Sequence, residues 1–199
     1  MVSPVFNLDK IMIFNAKYSV LFFISIYSLS INSVATDFAS GNWGDTKQDI
    51  ISIETRENYT PPGNQNFLVY KDKISIFKHS NIVYLFENNQ LTDGYFDFQD
   101  EHILFQDYVE DYFIVQKQLS KKYALPVSNE QIWHPDAQII EKPQWGNAIA
   151  NDDLILKSIW HSDNSIITLQ LSFQSNKMHH LLSYQSTRPD IEVMTPDAF

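Results

Sequence analysis

Short runs of β-branched and aromatic residues, separated by polar turns, dominate the chain after residue 66. Such runs are typical of strands in an antiparallel meander. Four of them predict a first group of strands, at residues 67–70, 74–78, 82–87 and 91–98. Three more predict a second group, at residues 154–161, 165–173 and 179–186. In residues 165–173 apolar and polar side chains alternate, which predicts a sheet with one face toward water.

One segment between these groups has the spacing of an amphipathic helix. Its apolar residues recur at steps of three and four and form one stripe, at Tyr108, Tyr112, Val115, Leu119 and Tyr123. We expect this helix to begin at the capping-box-like pair Asp107 and Glu110. We expect it to end at Leu125 and Pro126.

A shorter helix is predicted from about residue 47 to residue 56. Thr46 and Asp49 match a capping box at its start, and Pro61 and Pro62 prevent its continuation. The proline-marked residues 126–153 predict an irregular connection. The order helix, strands, helix, strands therefore predicts an α+β fold in which two helices pack on antiparallel β-sheet, an order compatible with two α-β3-like halves.

The N-terminus predicts export. Lys17 precedes an apolar run at residues 18–31, and Ser33 and Ala35 fit the small residues before a cleavage site. We expect residues 1–35 to be a signal peptide, residues 36–190 to be a single α+β domain and residues 191–199 to be a loosely ordered tail. The location is then periplasmic or secreted; the alternative is a chain anchored in the inner membrane by an uncleaved N-terminus.

The charge of the chain excludes some partners. Loss of residues 1–35 removes one acid and two bases and leaves 23 acids against 12 bases, a formal charge of −11. Because phosphate backbones and anionic headgroups require a basic surface, we expect neither nucleic-acid nor membrane-surface binding. The chain has no cysteine, which excludes disulfides, thiolate catalysis and cysteine-ligated zinc. We expect the partner to be a protein.

Motifs for catalysis are sparse. The five glycines form no phosphate-binding loop and no Gly-x-Ser-x-Gly turn, and we expect no cofactor and no metal. Two sequence-separated pairs, His134 with Asp136 and His161 with Asp163, are candidates for a metal-dependent or His/Asp hydrolase site if the fold brings them together. The favoured interpretation places each pair at a strand end beside a packed tryptophan.

Aromatic residues give a second set of candidates. Tyr84, Phe86, Tyr95 and Phe96 crowd the first group of strands. Aromatic residues are enriched in protein interfaces, so any of these four that lies on an uncovered sheet face is a candidate binding residue. The nearby acids, Asp93, Asp97, Asp100 and Glu101, lack calcium-loop spacing and predict a solvated charged edge.

Three short patterns occur in a recognisable order along the chain. They are Trp43-Gly44, the helix end Lys122-Tyr123-x-x-Pro126, and Trp160 followed by Tyr184-x-Ser186. In this the chain resembles a group of uncharacterised bacterial exported proteins and lipoproteins. Its layout is also similar to helix-plus-meander domains such as the β-lactamase inhibitor protein. The chain departs from the group in lacking a lipobox cysteine and in having Ala124 where glycine is usual, so the resemblance implies a copy without a lipid anchor and assigns no activity.

Three hypotheses follow. The first is an exported, non-catalytic protein that binds a protein partner through a sheet face or edge. The second is a hydrolase or metal-dependent enzyme that uses the two His/Asp pairs in one pocket. The third is an inhibitor or immunity-type protein whose negative charge attracts a basic partner.

Overall fold

One antiparallel sheet organises the residues that the computed structural model describes, which are residues 36–188. The helices are α1 (Lys47–Ile53), α2 (Phe105–Tyr123) and α3 (Trp145–Ala150), the last preceded by a 3-10 turn at Lys142–Gln144. The strands are β1 (Phe67–Ile74), β2 (Phe77–Glu87), β3 (Gln90–Phe98), β4 (Ser128–Trp133), β5 (Leu154–His161), β6 (Ser165–Gln174) and β7 (Lys177–Ser186). The predicted signal peptide and the predicted tail lie outside the described residues.

The seven strands follow the order β1-β2-β3-β7-β6-β5-β4, and every neighbouring pair is antiparallel. Two meanders, β1 to β3 and β4 to β7, therefore meet where β3 pairs with β7. The predicted α+β class is confirmed, although the sheet dominates and residues 36–188 contain three helices where two were predicted. The described residues contain no helix that is long and apolar enough to cross a membrane.

The helix starts show one correct and one wrong prediction. The capping box of α1 is confirmed, because Thr46 Oγ1 accepts the Asp49 N–H and Asp49 Oδ2 accepts the Thr46 N–H. The helix ends at Ile53, three residues earlier than expected. The expected start of α2 at Asp107 is wrong: α2 begins at Phe105, after Leu104, whose side chain has no oxygen to cap it.

Helix α2 ends at Tyr123, two residues before the predicted end at Leu125, and the next residue has an unusual backbone conformation. Ala124 has φ 67° and ψ −162°, a backbone region that is almost restricted to glycine. Trp160 Nε1 donates to the Ala124 carbonyl over 3.2 Å. An alanine therefore occupies this turn, and the hydrogen bond holds the turn against a core tryptophan.

The first meander has three strands where four were predicted. Lys71, Asp72 and Lys73 belong to β1, and His79, Ser80 and Asn81 belong to β2, so these polar triplets are not turns. The turn lies instead at Ser75 and Ile76, with Ser75 at φ 57°. Cross-strand hydrogen bonds favour the extended backbone over the local polar composition.

The connection at residues 126–153 is more ordered than predicted. It contains the edge strand β4 and helix α3. Gly146 allows α3 to approach the start of α2, because a Cβ atom there would lie 2.4 Å from the Phe105 carbonyl carbon and from the Gln106 nitrogen. The other Trp-Gly pair serves a turn, in which Gly44 has φ 91° and Trp43 Nε1 donates to Ser165 Oγ over 2.9 Å.

Helices α2 and α3 contact strands β5 and β6, and we call the side of the sheet that Tyr112 of α2 contacts the first face. Tyr112 of α2 contacts Ser158 of β5 there, with 2.7 Å between their hydroxyl oxygens. Burial raises the pKa of Tyr112 to about 12. The strand residues of this face are buried and include Leu68, Ile82, Tyr84, Phe98, Leu182, Tyr184, Ile167, Leu169, Leu156 and Trp160. This face is the hydrophobic core.

Candidate functional site

The two His/Asp pairs lie at opposite ends of β5. The His134 N–H donates to the Asp153 carbonyl, just before β5 begins, whereas His161 is the last residue of β5 and Asp163 follows in the turn. Eight residues of extended strand separate the two histidines by on the order of 25 Å. The four side chains therefore do not share a pocket. The described residues contain no cluster of three or more His, Asp or Glu able to hold a metal ion.

Three of the four aromatic candidates belong to the core and not to an exposed patch. Tyr84 is fully buried on the first face, where its hydroxyl donates to Glu54 Oε2 over 2.7 Å. Phe86 is also buried, and the partly buried Phe96 packs against the core. Burial and the Glu54 bond raise the pKa of Tyr84. Even-numbered positions of β2 and β3 lie on the first face, and packing in or against the core removes these rings from any binding surface.

Tyr95 lies on the opposite side of the sheet, which we call the second face. No described helix packs on this side. In the register of the strands its central row runs through Val69, Val83, Tyr95, Ser183, Thr168 and Ile159. All six except Val83 are partly exposed. The open face of an antiparallel sheet is usually polar, so the valines, Ile159 and Tyr95 are unusual there.

Two carboxylates flank Tyr95 on the same strand. Asp93 and Asp97 lie two residues away on either side, so all three side chains of this Asp-Tyr-Asp stripe project from the second face. Asp93 is paired with Leu85 of β2 on one side and with Gln185 of β7 on the other. Burial raises the pKa of its carboxyl group. Asp97 Oδ2 accepts a hydrogen bond from Asn81 Nδ2 over 3.2 Å.

The stripe occupies the middle of the sheet. Strand β3, which carries it, has β1 and β2 on one side and the four strands of the second meander on the other. Burial, together with the charge of Asp97, raises the pKa of Tyr95, so its hydroxyl stays protonated and able to donate. The stripe therefore offers one hydroxyl donor and two acceptor carboxylates on a partly apolar surface.

The spacing of residues in the sequence predicts this stripe, whereas the amino-acid composition does not. Asp93, Tyr95 and Asp97 alternate with Gly94 and Phe96, a period of two that assigns the acids and the tyrosine to one face. A count of aromatic residues cannot separate Tyr95 from Phe96. Gly94 marks the covered side, since a Cβ atom there would lie 2.3 Å from the Phe38 ring.

The fold also brings together a His-Asp pair that sequence reasoning missed. His102 Nε2 lies 2.7 Å from Asp111 Oδ2, and the Tyr108 hydroxyl accepts the His102 backbone N–H over 3.0 Å. Both contacts attach the segment before α2 to the first turns of that helix. The neighbouring cleft, about 190 Å³, is lined by no serine, threonine or cysteine of the described chain, so the pair has no nucleophile to activate there.

The two edge strands of the sheet, β1 and β4, differ in whether another segment hydrogen-bonds to their outer side. Along β1 the Tyr59 N–H donates to the Val69 carbonyl and Thr60 Oγ1 accepts the Val69 N–H, so residues 58–60 pair with this edge. Strand β4 has β5 on one side and no described strand on the other.

Comparison with known proteins adds no relative: no protein-family model, no curated protein and no solved structure matches the chain. The resemblance to exported bacterial proteins therefore stays a prediction.

Proposed function

We propose that this chain is an exported, non-catalytic binding module that binds a basic protein through the second face of its sheet. The partner contacts Tyr95 at the centre and places cationic side chains against Asp93 and Asp97. The proposal requires a single sheet face and does not depend on two α-β3-like halves, which remain a prediction.

The observation that carries the proposal is the composition of the second face. Six strands place apolar or aromatic side chains there without a described helix above them, namely at Val69, Val83, Leu85, Tyr95, Leu181, Ile166 and Ile159. A partner would remove this surface from water, with roughly 25 cal/mol gained for each Å² of apolar area. Solubility alone does not explain aliphatic side chains at these positions.

Charge supports a basic partner. The whole chain has a formal charge of −10, and two acids adjoin the only aromatic candidate on this face. A negative surface steers a positive partner toward the site and mainly raises the association rate. The raised pKa of Asp93 indicates a partly desolvated carboxylate, which a cationic side chain of the partner would stabilise.

The test is affinity capture with matched variants. Immobilised protein is exposed to an extract of its source cells at low and high ionic strength, and each captured protein is purified and titrated. We expect a basic protein whose Kd increases about tenfold or more in Tyr95→Ala and in Asp93→Asn/Asp97→Asn.

The control is Glu110→Gln/Asp136→Asn, which removes two exposed acids outside the second face. It should leave the Kd of that partner within about twofold, since distant surface charges are screened. An acidic partner, or equal weakening by the control and by the Asp93/Asp97 variant, would contradict the proposal. Thermal unfolding of each variant separates lost binding from lost folding.

A further inference from the structure

A cavity of about 530 Å³ opens at the end of the β1–β2 hairpin, and its lining is basic. Lys71 and Lys73 come from β1, and Lys78 and His79 come from β2. Asn81, Gln99, Asp72 and Ser80 complete the wall. We call this cavity the lysine pocket. Its size is that of a site for a small ligand.

The carboxylates nearest to the lysine pocket have other partners. Asp72 Oδ2 accepts a hydrogen bond from Arg56 Nε over 2.6 Å. Asp100 accepts the backbone N–H groups of Lys78 and His79 over 2.9 and 2.8 Å, and its Oδ1 lies 3.1 Å from Nδ1 of the His79 ring, so this carboxylate pairs with the histidine of the pocket and not with a lysine. In residues 36–188, no carboxylate lies within 4.0 Å of the ammonium groups of the three lysines. No close ion pair therefore compensates the three ammonium groups, although Asp72 attracts Lys73 over a longer distance, which is one of the causes that lower the pKa of Asp72.

The position of these charges is unexpected in an acidic chain. Only 12 of the residues after position 35 are Lys or Arg, and three of them line this one cavity. Like charges that share a cavity repel each other, so the arrangement costs free energy without an anion. Lys71 Nζ also lies 4.1 Å from the centroid of the Tyr59 ring, a contact that positions the ammonium group.

The donor set favours phosphate over carboxylate. Lysine binds phosphate as a point charge, whereas planar carboxylates are best recognised by the two parallel N–H groups of arginine, and no arginine lines the pocket. Gln99 adds amide N–H donors to the pocket. Its Oε1 already accepts a hydrogen bond from Lys177 Nζ over 3.0 Å, so its NH2 group is the part of the side chain that is left to bind an anion.

We propose that the lysine pocket binds the phosphate group of a small anion or of a lipid headgroup. Lys71, Lys73 and Lys78 neutralise the charge, and Gln99 donates a hydrogen bond. The site does not rest on the proposed protein-binding function, since it uses none of Asp93, Tyr95 and Asp97.

The test titrates the purified protein with inorganic phosphate at low ionic strength and follows binding by calorimetry. A second arm measures sedimentation with phosphatidylglycerol vesicles, with phosphatidylcholine vesicles as the neutral comparison. We expect saturable binding that weakens about tenfold or more in Lys71→Gln/Lys73→Gln. The matched control, Lys117→Gln/Lys121→Gln, removes the same charge from exposed positions of α2 and should change the Kd less than about twofold.

Binding of soluble phosphate identifies a free anion as the ligand, and binding of phosphatidylglycerol vesicles alone identifies a headgroup. Either outcome supports the site if binding is weakened by Lys71→Gln/Lys73→Gln and not by the control Lys117→Gln/Lys121→Gln. Absence of saturable binding in both arms, or equal weakening by the two double variants, would overturn it. Tyr95→Ala should retain phosphate binding, which separates failure of this site from failure of the proposed function.

Discussion

Two neighbouring rows of side chains cross the sheet, one on each face, and their environments differ. The row on the first face is fully buried and runs through Leu68, Tyr84, Gly94, Tyr184, Ile167 and Trp160. The row on the second face runs through Val69, Val83, Tyr95, Ser183, Thr168 and Ile159 and stays mostly partly exposed. Both rows use the same strands and ladders, so the difference comes from the helices and the Phe38 segment that pack above the first row.

This difference separates stability from binding. A buried row contributes to the free energy of unfolding through transfer from water and close packing. A partly exposed apolar row contributes less to folding and keeps area available for a partner. Substitutions on the two faces should therefore have very different effects on stability.

The largest expected effect is that of Trp160→Ala. Trp160 is 0% exposed and donates to the Ala124 carbonyl, so truncation removes a large ring from the core and a hydrogen bond from the end of α2. We expect a loss of about 3–5 kcal/mol in the free energy of unfolding, measured by urea denaturation. Tyr95→Ala on the second face should cost about 1.5 kcal/mol or less. Equal losses would remove the distinction between the faces.

A smaller effect is expected from Gly94→Ala. The added methyl group would lie 2.3 to 2.7 Å from atoms of the Phe38 ring, which must then shift. Overpacking of this kind costs about 1–3 kcal/mol. The control is Ser183→Ala. Ser183 is the cross-strand partner of Tyr95 in the second-face row, and this substitution should change stability by about 0.5 kcal/mol or less. Urea midpoints of the two variants provide the comparison.

The third prediction concerns pH and His180, a buried residue of the first face. Neither ring nitrogen has a hydrogen-bond partner within the described residues, and the ring packs edge-on against Phe77 and Phe98. Burial, with a further contribution from nearby His102, lowers the pKa of His180 to about 3. Between pH 6.5 and 3 the unfolded chain therefore binds a proton that the folded chain does not bind, so stability falls as the pH falls.

His180→Leu should remove this part of the pH dependence. Relative to the variant, the wild type should lose about 1–2 kcal/mol between pH 6.5 and pH 5. The measurement is the urea midpoint at several pH values. Parallel profiles of the two proteins would show that His180 does not cause the acid sensitivity.

The smallest effect is expected from Asp93→Asn on the second face. Because the folded state raises the pKa of Asp93, ionisation of this carboxylate opposes folding at neutral pH. The amide should therefore stabilise the protein by about 0.5 kcal/mol or less, an effect limited by solvent screening. A stability gain at pH 7 that disappears below pH 4 would confirm the sign. A loss at pH 7 would instead indicate that the carboxylate has a structural role.

Strands were predictable where pattern and pairing agree. β5 was predicted with both ends correct and β6 to within one residue. The predicted alternation of β6 is confirmed by the burial of Ile167, Leu169 and Leu171 but ends at Ser172, which is buried, and Phe173, which is partly exposed. β4 has no such pattern, since its residues are mostly polar and exposed. It becomes a strand because the exposed edge of β5 is available for pairing, which is a non-local cause.

The candidate site shows the same limit. Strand periodicity was sufficient to group Asp93, Tyr95 and Asp97 on one face. It was not sufficient to say which face the helices cover, so Tyr84 and Tyr95 looked equivalent. Only the contact of Glu54 with Tyr84 and the packing of Phe38 on Gly94 distinguish them.

By itself, the sequence determined the α+β class, the approximate extent of α2 and of most strands, and the absence of thiol chemistry, because each depends on neighbouring residues or on composition. The tertiary structure decided that β3 pairs with β7, that the two His/Asp pairs lie at opposite ends of β5, and that lysines of two strands line one cavity. These features depend on contacts between residues far apart in the chain, whose free energy is gained only when the whole sheet forms.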